Sequence, residues 1–407
     1  MLSDMSQRVL IVPDKFKGTL TAAEAAAAIA RGWSRRRPGD VLERLPMSDG
    51  GDGFGDAMSR LANARRRMVW TVDAAHRRWR SAWWWEPKAR TAIIESASSI
   101  GLALLPRGRY HPFDLDTAGL AAVLLAASRA GARECLIGIG GSATNDGGFG
   151  VARALGWVFL DGAGVRLDRW TDLRRLRRIE HPARELGFDR VRVAVDVRNR
   201  LLGPAGCSRV YGPQKGLRPE DLPLAEASLS QLARVVRRQW GIDIAREPGA
   251  GAAGGLGFGL RAFLGAQIES GFDLFAREAR LVWRLEGVDR VITGEGSVDR
   301  SSLMGKGVGE VVRLCEERGK PWLGLAGRLG EGMARKRMSR RFMAIVPDLA
   351  DEKDAMARAG YWLEKLAEQA AESTETAGAK RAVALAPPTC DEPRARTRAE
   401  ASRGRSA

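Results

Sequence analysis

The chain alternates short apolar runs with stretches of helical periodicity, an order typical of α/β folds. Residues 9–12 form an apolar run that predicts a buried parallel strand, and Thr21 with Glu24 forms a capping box that predicts the start of an alanine-rich helix. The same rhythm of strands and helices resumes after residue 116 and continues to a closing helix over residues 356–371. We therefore predict parallel strands near both ends of the chain.

The middle of the chain has a different pattern. Three segments of alternating residues within 69–96 predict an antiparallel meander. The run Trp83-Trp84-Trp85 inside it could be a stacking platform for nucleic-acid bases, but packing against a sheet face is the favoured interpretation.

Parallel strands at both ends, with a meander between them, predict one discontinuous domain that carries an inserted one. Residues 1–75 plus 265–372 are predicted to form an α/β domain around a parallel sheet, and residues 76–264 an inserted mixed α/β domain. Residues 373–407 have no apolar periodicity, and we predict a disordered basic tail there.

Composition narrows the classes of partner. The 407 residues carry a formal net charge of +17, which raises nucleic acid, an acidic membrane surface or an anionic small ligand as partner. The four cysteines and three histidines have no spacing typical of disulfide frameworks or metal sites. No apolar stretch approaches the ~20 residues of a membrane span, so we expect a soluble, cytoplasmic protein.

The densest chemical signal is the glycine-rich segment 138–148, which lies between a predicted strand and a predicted helix. Backbone amides and a helix N-terminus in such a loop can bind an anion. The candidate anion-binding residues are Gly140, Gly141, Ser142, Thr144 and Asn145. Asp146, in the same segment, could hold a magnesium ion.

Three further glycine-rich segments carry weaker signals. Asp49 and Asp52, within 48–53, could hold a cation or accept a hydroxyl proton, although an ordinary surface turn explains them equally well. Glu295 follows a predicted strand and precedes Lys306, a plausible metal–phosphate pairing, but the spacing excludes a P-loop. Residues 249–254 match the dinucleotide fingerprint, yet a tightly packed turn is favoured over a nicotinamide site in an oxidoreductase.

The positions of the lysines favour one class of chemistry. Only 10 of the 66 basic residues are lysines, and four of them lie in predicted loops bounded by glycine: Lys15, Lys17, Lys215 and Lys306. A lysine ammonium is a compact charge suited to phosphate oxygens. Together with loose carboxylates, this pattern favours phosphoryl transfer over acyl transfer or redox chemistry.

As an ordered set, these motifs resemble the type-1 glycerate kinase family, to which the glycerate 2-kinases belong. The matching segments run from residue 8 to residue 371: 12–20, 49–53, 138–148, Asp196 with Asn199, 212–216, 249–259, 292–296, Asp299, 305–306 and 326–327. The sequence departs from the family in two places. Lys15 stands where many relatives carry serine, and residues 114–119 lack the usual Thr- and Gly-rich turn.

The resemblance implies ATP-dependent phosphorylation of D-glycerate, usually at the 2-hydroxyl, to give 2-phosphoglycerate. It also implies two α/β domains, one flavodoxin-like and one restriction-enzyme-like, with the active site in the cleft between them. The expected partners are D-glycerate, ATP and Mg²⁺, with no nucleic acid and no membrane. The alternatives are a kinase for a related small hydroxy acid and a nucleic-acid-binding protein.

The hypothesis assigns a role to each candidate. Phosphate oxygens are expected to bind Gly140, Gly141, Ser142, Thr144 and Asn145. Their charge is expected to be neutralised by Lys15, Lys17, Lys215 and Lys306. Glu295 and Asp146 are expected to organise Mg²⁺. Asp49 or Asp196 is expected to position the glycerate hydroxyl and accept its proton.

Overall fold

Strands and helices alternate along the computed structural model, which describes residues 6–300, 302, 307–330 and 341–384. The strands are β1 (Arg8–Pro13), β2 (Val41–Arg44), β3 (Arg65–Val72), β4 (Arg78–Glu86), β5 (Thr91–Glu95), β6 (Glu134–Gly138), β7 (Val158–Asp161), β8 (Leu176–Glu180), β9 (Arg190–Val195), β10 (Gln267–Ser270), β11 (Arg290–Val298), β12 (Trp322–Leu329) and β13 (Phe342–Val346). The helices are α1 (Ala22–Arg36), α2 (Phe54–Ala62), α3 (Ala97–Ile100), α4 (Gly119–Arg129), α5 (Phe149–Ala154), α6 (Cys207–Lys215), α7 (Leu222–Trp240), α8 (Ala252–Leu264), α9 (Gly271–Glu278), α10 (Leu281–Glu286), α11 (Gly307–Glu317), α12 (Glu352–Ala357) and α13 (Ala359–Ala384).

The first sheet combines strands from both ends of the chain, as predicted. Its described strands are all parallel and run in the order β2-β1-β11-β12-β13. Counted within this sheet the order is 2-1-3-4-5, which is the flavodoxin-like order. The order reverses between β1 and β11, and ligands of such sheets bind beyond the carboxyl ends of the strands at that switch point.

Both faces of the first sheet are covered, because side chains alternate along each strand. Val9 and Ile11 of β1 pack with α1 and α13 on one face. Leu10 and Val12 point to the other face, where α2, α9 and α11 lie. The capping box predicted at the start of α1 is present.

The second sheet is mixed and has the order β10-β9-β6-β5-β4-β3 in the described chain. Strands β3, β4 and β5 form the predicted antiparallel meander, and β5, β6, β9 and β10 are parallel. Trp83, Trp84 and Trp85 of β4 are all at most 6% exposed. The interpretation of this run as packing is therefore confirmed, and it offers no stacking platform.

Strand pairing places the boundaries between the two sheets at other positions than those predicted. The boundaries at 75 and 265 place β3 and β10 with the first sheet, but both strands are hydrogen-bonded into the second. The first sheet's share of the chain thus ends before β3, and it resumes only after β10. The division into domains itself stays a prediction, as does the likeness to restriction enzymes.

The predicted tail starts too early. Helix α13 extends to Ala384, so residues 373–384 are helical in the described structure, and the rest of the predicted tail lies outside it. None of the described helices combines the length and the apolar composition that a membrane crossing requires.

The two sheets share one apolar core. Helix α2 contributes Phe54 to a buried cluster that also holds Leu10 of the first sheet and Trp84 of the second. Phe275 of α9 joins the same cluster. The carboxyl ends of both sets of parallel strands are therefore held in a fixed relation, and this positions the candidate site.

The contact between α1 and α13 predicts a large effect of one small substitution. A Cβ at Gly32 would lie 2.0 Å from the backbone oxygen of Glu364, so Gly32→Ala must push the two helices apart. We expect a loss of about 2 kcal/mol in the free energy of unfolding, despite alanine's better helix propensity. Gly39→Ala is the control, because nothing lies within 4 Å of the added atom. Urea unfolding that gave both variants equal stability would contradict this packing.

Candidate active site

The switch point of the first sheet carries charged residues directly after β1. The Asp14 amide donates to the backbone oxygen of Gly294 at 2.8 Å, which fixes the start of this loop against β11. The Asp14 carboxylate accepts from the Lys15 amide at 2.7 Å. Glu295, the next residue of β11, acts electrostatically on Asp14. The chain thus gathers carboxylates where an open α/β sheet binds its ligand.

The segment 48–53 reaches this point from between the two sheets. A Cβ at Gly271 would lie 1.8 Å from the backbone oxygen of Asp49, so only glycine permits this approach at the start of α9. The Gly140 amide donates to the Gly50 oxygen at 3.0 Å and ties the segment to the second sheet. These contacts place Asp49 Oδ1 3.5 Å from Lys15 Nζ, which forms an ion pair.

Lys15 lies among several carboxylates. Burial alone would lower the pKa of its ammonium, but the neighbouring carboxylates outweigh burial and raise that pKa above its usual value. These carboxylates belong to Asp49, Asp14, Asp52 and Asp196. Asp196 follows β9 of the second sheet, so residues from both sheets act on one ammonium.

The Asp14 carboxyl group of this cluster has a strongly raised pKa. Burial, followed by the charge of Asp49, raises its pKa from 3.8 to about 7, while Lys15 acts in the opposite direction. A carboxyl group with such a pKa exchanges its proton near neutral pH. The sequence pattern missed Asp14 as a site residue, although a polar residue directly after an apolar parallel strand is a usable signal.

Glu95 holds the acidic segment in place from the second sheet. Its carboxylate accepts from the amides of Gly53 at 3.1 Å and Gly55 at 2.9 Å, at the start of α2. Gly53 supplies no side-chain cap, so α2 borrows its capping carboxylate from the end of β5. Burial raises the pKa of Glu95. Sequence reasoning missed this residue because its partner lies about forty positions away.

A cavity of about 360 Å³ opens beside the cluster, between the loop after β1 and the start of α2. Its polar lining includes Lys15, Lys17, Asp52, Asp56 and Arg60. Apolar side chains of Phe16, Leu20 and Met47 complete the wall. This volume lies within the ordinary range for small-molecule sites.

The glycine-rich segment 138–148 is mostly inaccessible. Ser142 is 5% exposed, and Thr144 and Asn145 are fully buried, so none of the three presents its side chain to a nucleotide in this structure. A Cβ at Gly254 would lie 1.9 Å from the Thr144 oxygen. The glycines here admit neighbouring backbone rather than a phosphate, and of the predicted set only Gly140 and Gly141 reach the cleft.

Both carboxylate oxygens of Asp146 already accept hydrogen bonds from other groups of the protein. Its Oδ2 accepts from the Thr117 amide and hydroxyl and from the Gly150 amide, and its Oδ1 accepts from the Gly148 amide. The group is fully buried. This geometry fits a carboxylate that fixes the start of α5, and it does not fit the predicted magnesium ligand.

Lys215 is also placed differently from the prediction. It ends helix α6 instead of lying in a loop, although Gly212 and Pro213 precede it. Its ammonium is buried and donates to the Thr144 oxygen at 2.7 Å, and burial lowers its pKa to about 8. Lys215 therefore supports the segment behind the cleft.

The other predicted site residues lie in three different places. Lys15, Asp49, Asp196 and Glu295 belong to the cluster, and Lys17 lines the cavity beside it. Lys306 lies outside the described residues.

Within the described chain, no three acidic, histidine or cysteine side chains are arranged to hold a metal ion by themselves. Magnesium in phosphate sites usually has one or two carboxylate ligands plus the phosphates, and Asp52 at the cavity wall fits that pattern.

Comparison with known proteins assigns the family. Residues 9–375 match the model of the glycerate kinase family. The chain belongs to this family. It is 35% identical over 325 residues to glycerate 2-kinase of Escherichia coli, covering 79% of this chain and 85% of the relative.

Two further relatives extend the match. A glycerate kinase of Bacillus subtilis is 33% identical over 375 residues, covering 91% of this chain and 98% of the relative. The crystal structure of a putative glycerate kinase 2 from Salmonella typhimurium superposes with a TM-score of 0.78 at 31% identity, covering 92% of this chain and 99% of that one. The family and the α/β fold expected from the motifs are both confirmed.

The raised pKa of Asp14 predicts a pH-dependent stability. Between pH ~4 and ~7 the folded chain holds the Asp14 proton and the unfolded chain releases it, so this group lowers stability as the pH rises. Asp14→Asn cannot ionise, and we expect it to gain roughly 1–3 kcal/mol relative to wild type between those pH values. Urea unfolding of both proteins at about pH 4, 5.5 and 8 measures this. A difference that does not change with pH would contradict it.

Proposed function

We propose that this chain transfers the γ-phosphoryl group of ATP to D-glycerate at its 2-hydroxyl and produces 2-phosphoglycerate. The observation that carries the proposal is the Lys15–Asp49 ion pair at the switch point of the first sheet, joined by Asp196 from the second. Membership of the glycerate kinase family supports the acceptor, and the name of the Escherichia coli relative supports the 2-position.

The cavity beside Lys15 is the proposed nucleotide site. Lys17 and Arg60 line it and would balance phosphate charge, while the apolar wall would take the uncharged part of ATP. Asp52 and Glu295 would hold Mg²⁺, which neutralises charge on the phosphate oxygens when bound. Gly140 and Gly141 lie at the edge of the cleft, where they pack directly against Gly51 and Asp52.

The acceptor is proposed to lie on the Asp49 and Asp196 side of Lys15. One of these carboxylates accepts a hydrogen bond from the 2-hydroxyl, orients it towards the γ-phosphorus and takes its proton. The Lys15 ammonium balances the charge that collects on the transferred group. Phosphoryl transfer depends chiefly on placement and charge, so this arrangement needs no protein nucleophile.

Incubation with ATP, Mg²⁺ and D-glycerate is expected to give 2-phosphoglycerate, identified by phosphorus NMR. L-glycerate and other small hydroxy acids, tested in parallel, separate glycerate from a related acceptor. No phosphorylated product from D-glycerate would reject the proposal. A 3-phosphorylated product would reject its position.

Carboxamide substitutions locate the base. We expect Asp49→Asn or Asp196→Asn to lower kcat by about 10²-fold or more, because general-base catalysis contributes on that scale. Asp189→Asn is the matched control, since this exposed residue lies at the opposite end of β9. If both cluster variants kept kcat within a few-fold of wild type, neither residue would be the base.

A further inference from the structure

The cluster around Lys15 combines many carboxylates with one ammonium. We propose that the Lys15 ammonium is the resident cation of this cluster and keeps a divalent ion out of it until the nucleotide arrives. The inference rests on the proposed function, because it concerns the cations that balance the carboxylates of that same cleft. One is the Lys15 ammonium of the protein, and the other is the divalent ion that accompanies the nucleotide. It assigns Lys15 a positioning role in addition to phosphate contact.

The ammonium forms an ion pair with Asp49 and interacts electrostatically with further carboxylates. Lys15 Nζ lies 3.5 Å from Asp49 Oδ1, longer than a charge-assisted hydrogen bond, which is about 2.7–2.9 Å. The carboxylates of Asp14, Asp52 and Asp196 also act on it. One monovalent cation therefore interacts with four carboxylates from three segments: the loop after β1, the segment 48–53 and the end of β9.

The backbone leaves room for this ammonium. A Cβ at Gly51 would lie 2.9 Å from Lys15 Nζ and 3.2 Å from Asp49 Oδ1, so a side chain there would press on the ion pair. Lys15 is held at the other end by its amide, which donates to Asp14. Contacts at both the backbone amide and the ammonium therefore fix the position of Lys15.

Loss of the Lys15 ammonium would leave the negative charges of the surrounding carboxylates unbalanced. Carboxylates this close repel one another unless a cation or a proton is present. Removing the ammonium leaves carboxylate oxygens, which are the ligands that divalent cations prefer, without the cation that now balances their charge. Among the described residues no three such side chains are arranged around one metal position, so an ion entering in place of the ammonium would take the rest of its ligands from water.

Metal binding to the substrate-free full-length protein tests the proposal. Mn²⁺, which is visible by electron paramagnetic resonance, is titrated into wild type, Lys15→Met and Lys17→Met. Methionine removes the charge while keeping a long unbranched side chain. Lys17 lies two residues away and lines the cavity, so its variant controls for a general loss of positive charge.

We expect Lys15→Met to bind one Mn²⁺ at least 10-fold more tightly than wild type and Lys17→Met. The gain should disappear in Lys15→Met combined with Asp49→Asn. Equal Mn²⁺ affinity in wild type and Lys15→Met would overturn the proposal, as would a gain that survives loss of Asp49. Lys15→Gln, checked by circular dichroism, gives the same reading if the methionine variant does not fold.

This measurement contains neither ATP nor glycerate. Failure of the Mn²⁺ result would leave the product assay untouched, and absence of a phosphorylated product would leave the Mn²⁺ result standing. The two proposals can therefore fail separately.

Discussion

The cleft depends on the close approach of backbone at the start of α9, where the Asp49 oxygen occupies the space that a side chain at position 271 would need. This contact seats the segment 48–53 between the two sheets. On one side the segment reaches Lys15 at the end of β1, and on the other its Gly50 oxygen accepts from Gly140 after β6. A shift of this segment would disturb the Lys15–Asp49 ion pair and the Gly140–Gly50 hydrogen bond together, because both contacts are made by the same short segment.

The rest of the architecture keeps that segment from moving. Helix α2 begins directly after it, and its Phe54 is buried in the core that the two sheets share. Glu95, at the end of β5, holds the same helix start through two amides. Close-packed protein interiors deform little, so the carboxylates from the two sheets meet in a defined arrangement. Rigid placement of this kind is what phosphoryl transfer requires.

Apolar runs made much of the fold predictable, while glycines made the site only partly so. The buried strands β1, β6 and β13 were each visible as a continuous apolar run, and β9 as a run interrupted only by Arg192. The half-exposed β2 has no such run. A glycine in the sequence can indicate that another group approaches the backbone closely, but it does not show which group. At 140 the neighbour lies in the cleft, whereas at 254 it is the Thr144 backbone, which is why the predicted phosphate cradle is mostly buried. Glu95 could not be found, since its role exists only after the two sheets meet.

The distribution of charge separates this chain from a polyanion-binding protein more clearly than its total does. The net charge is +17, yet the switch point collects the carboxylates of Asp14, Asp49 and Glu295. An acidic centre repels a bare phosphate chain, so a nucleotide can enter only with cations that offset the carboxylates. Lys15 supplies one from inside the cluster, and Lys17 with Arg60 supplies others along the cavity wall. The metal that accompanies the nucleotide then completes the balance, so acidic residues at the centre and basic ones at the entrance are two parts of one electrostatic arrangement.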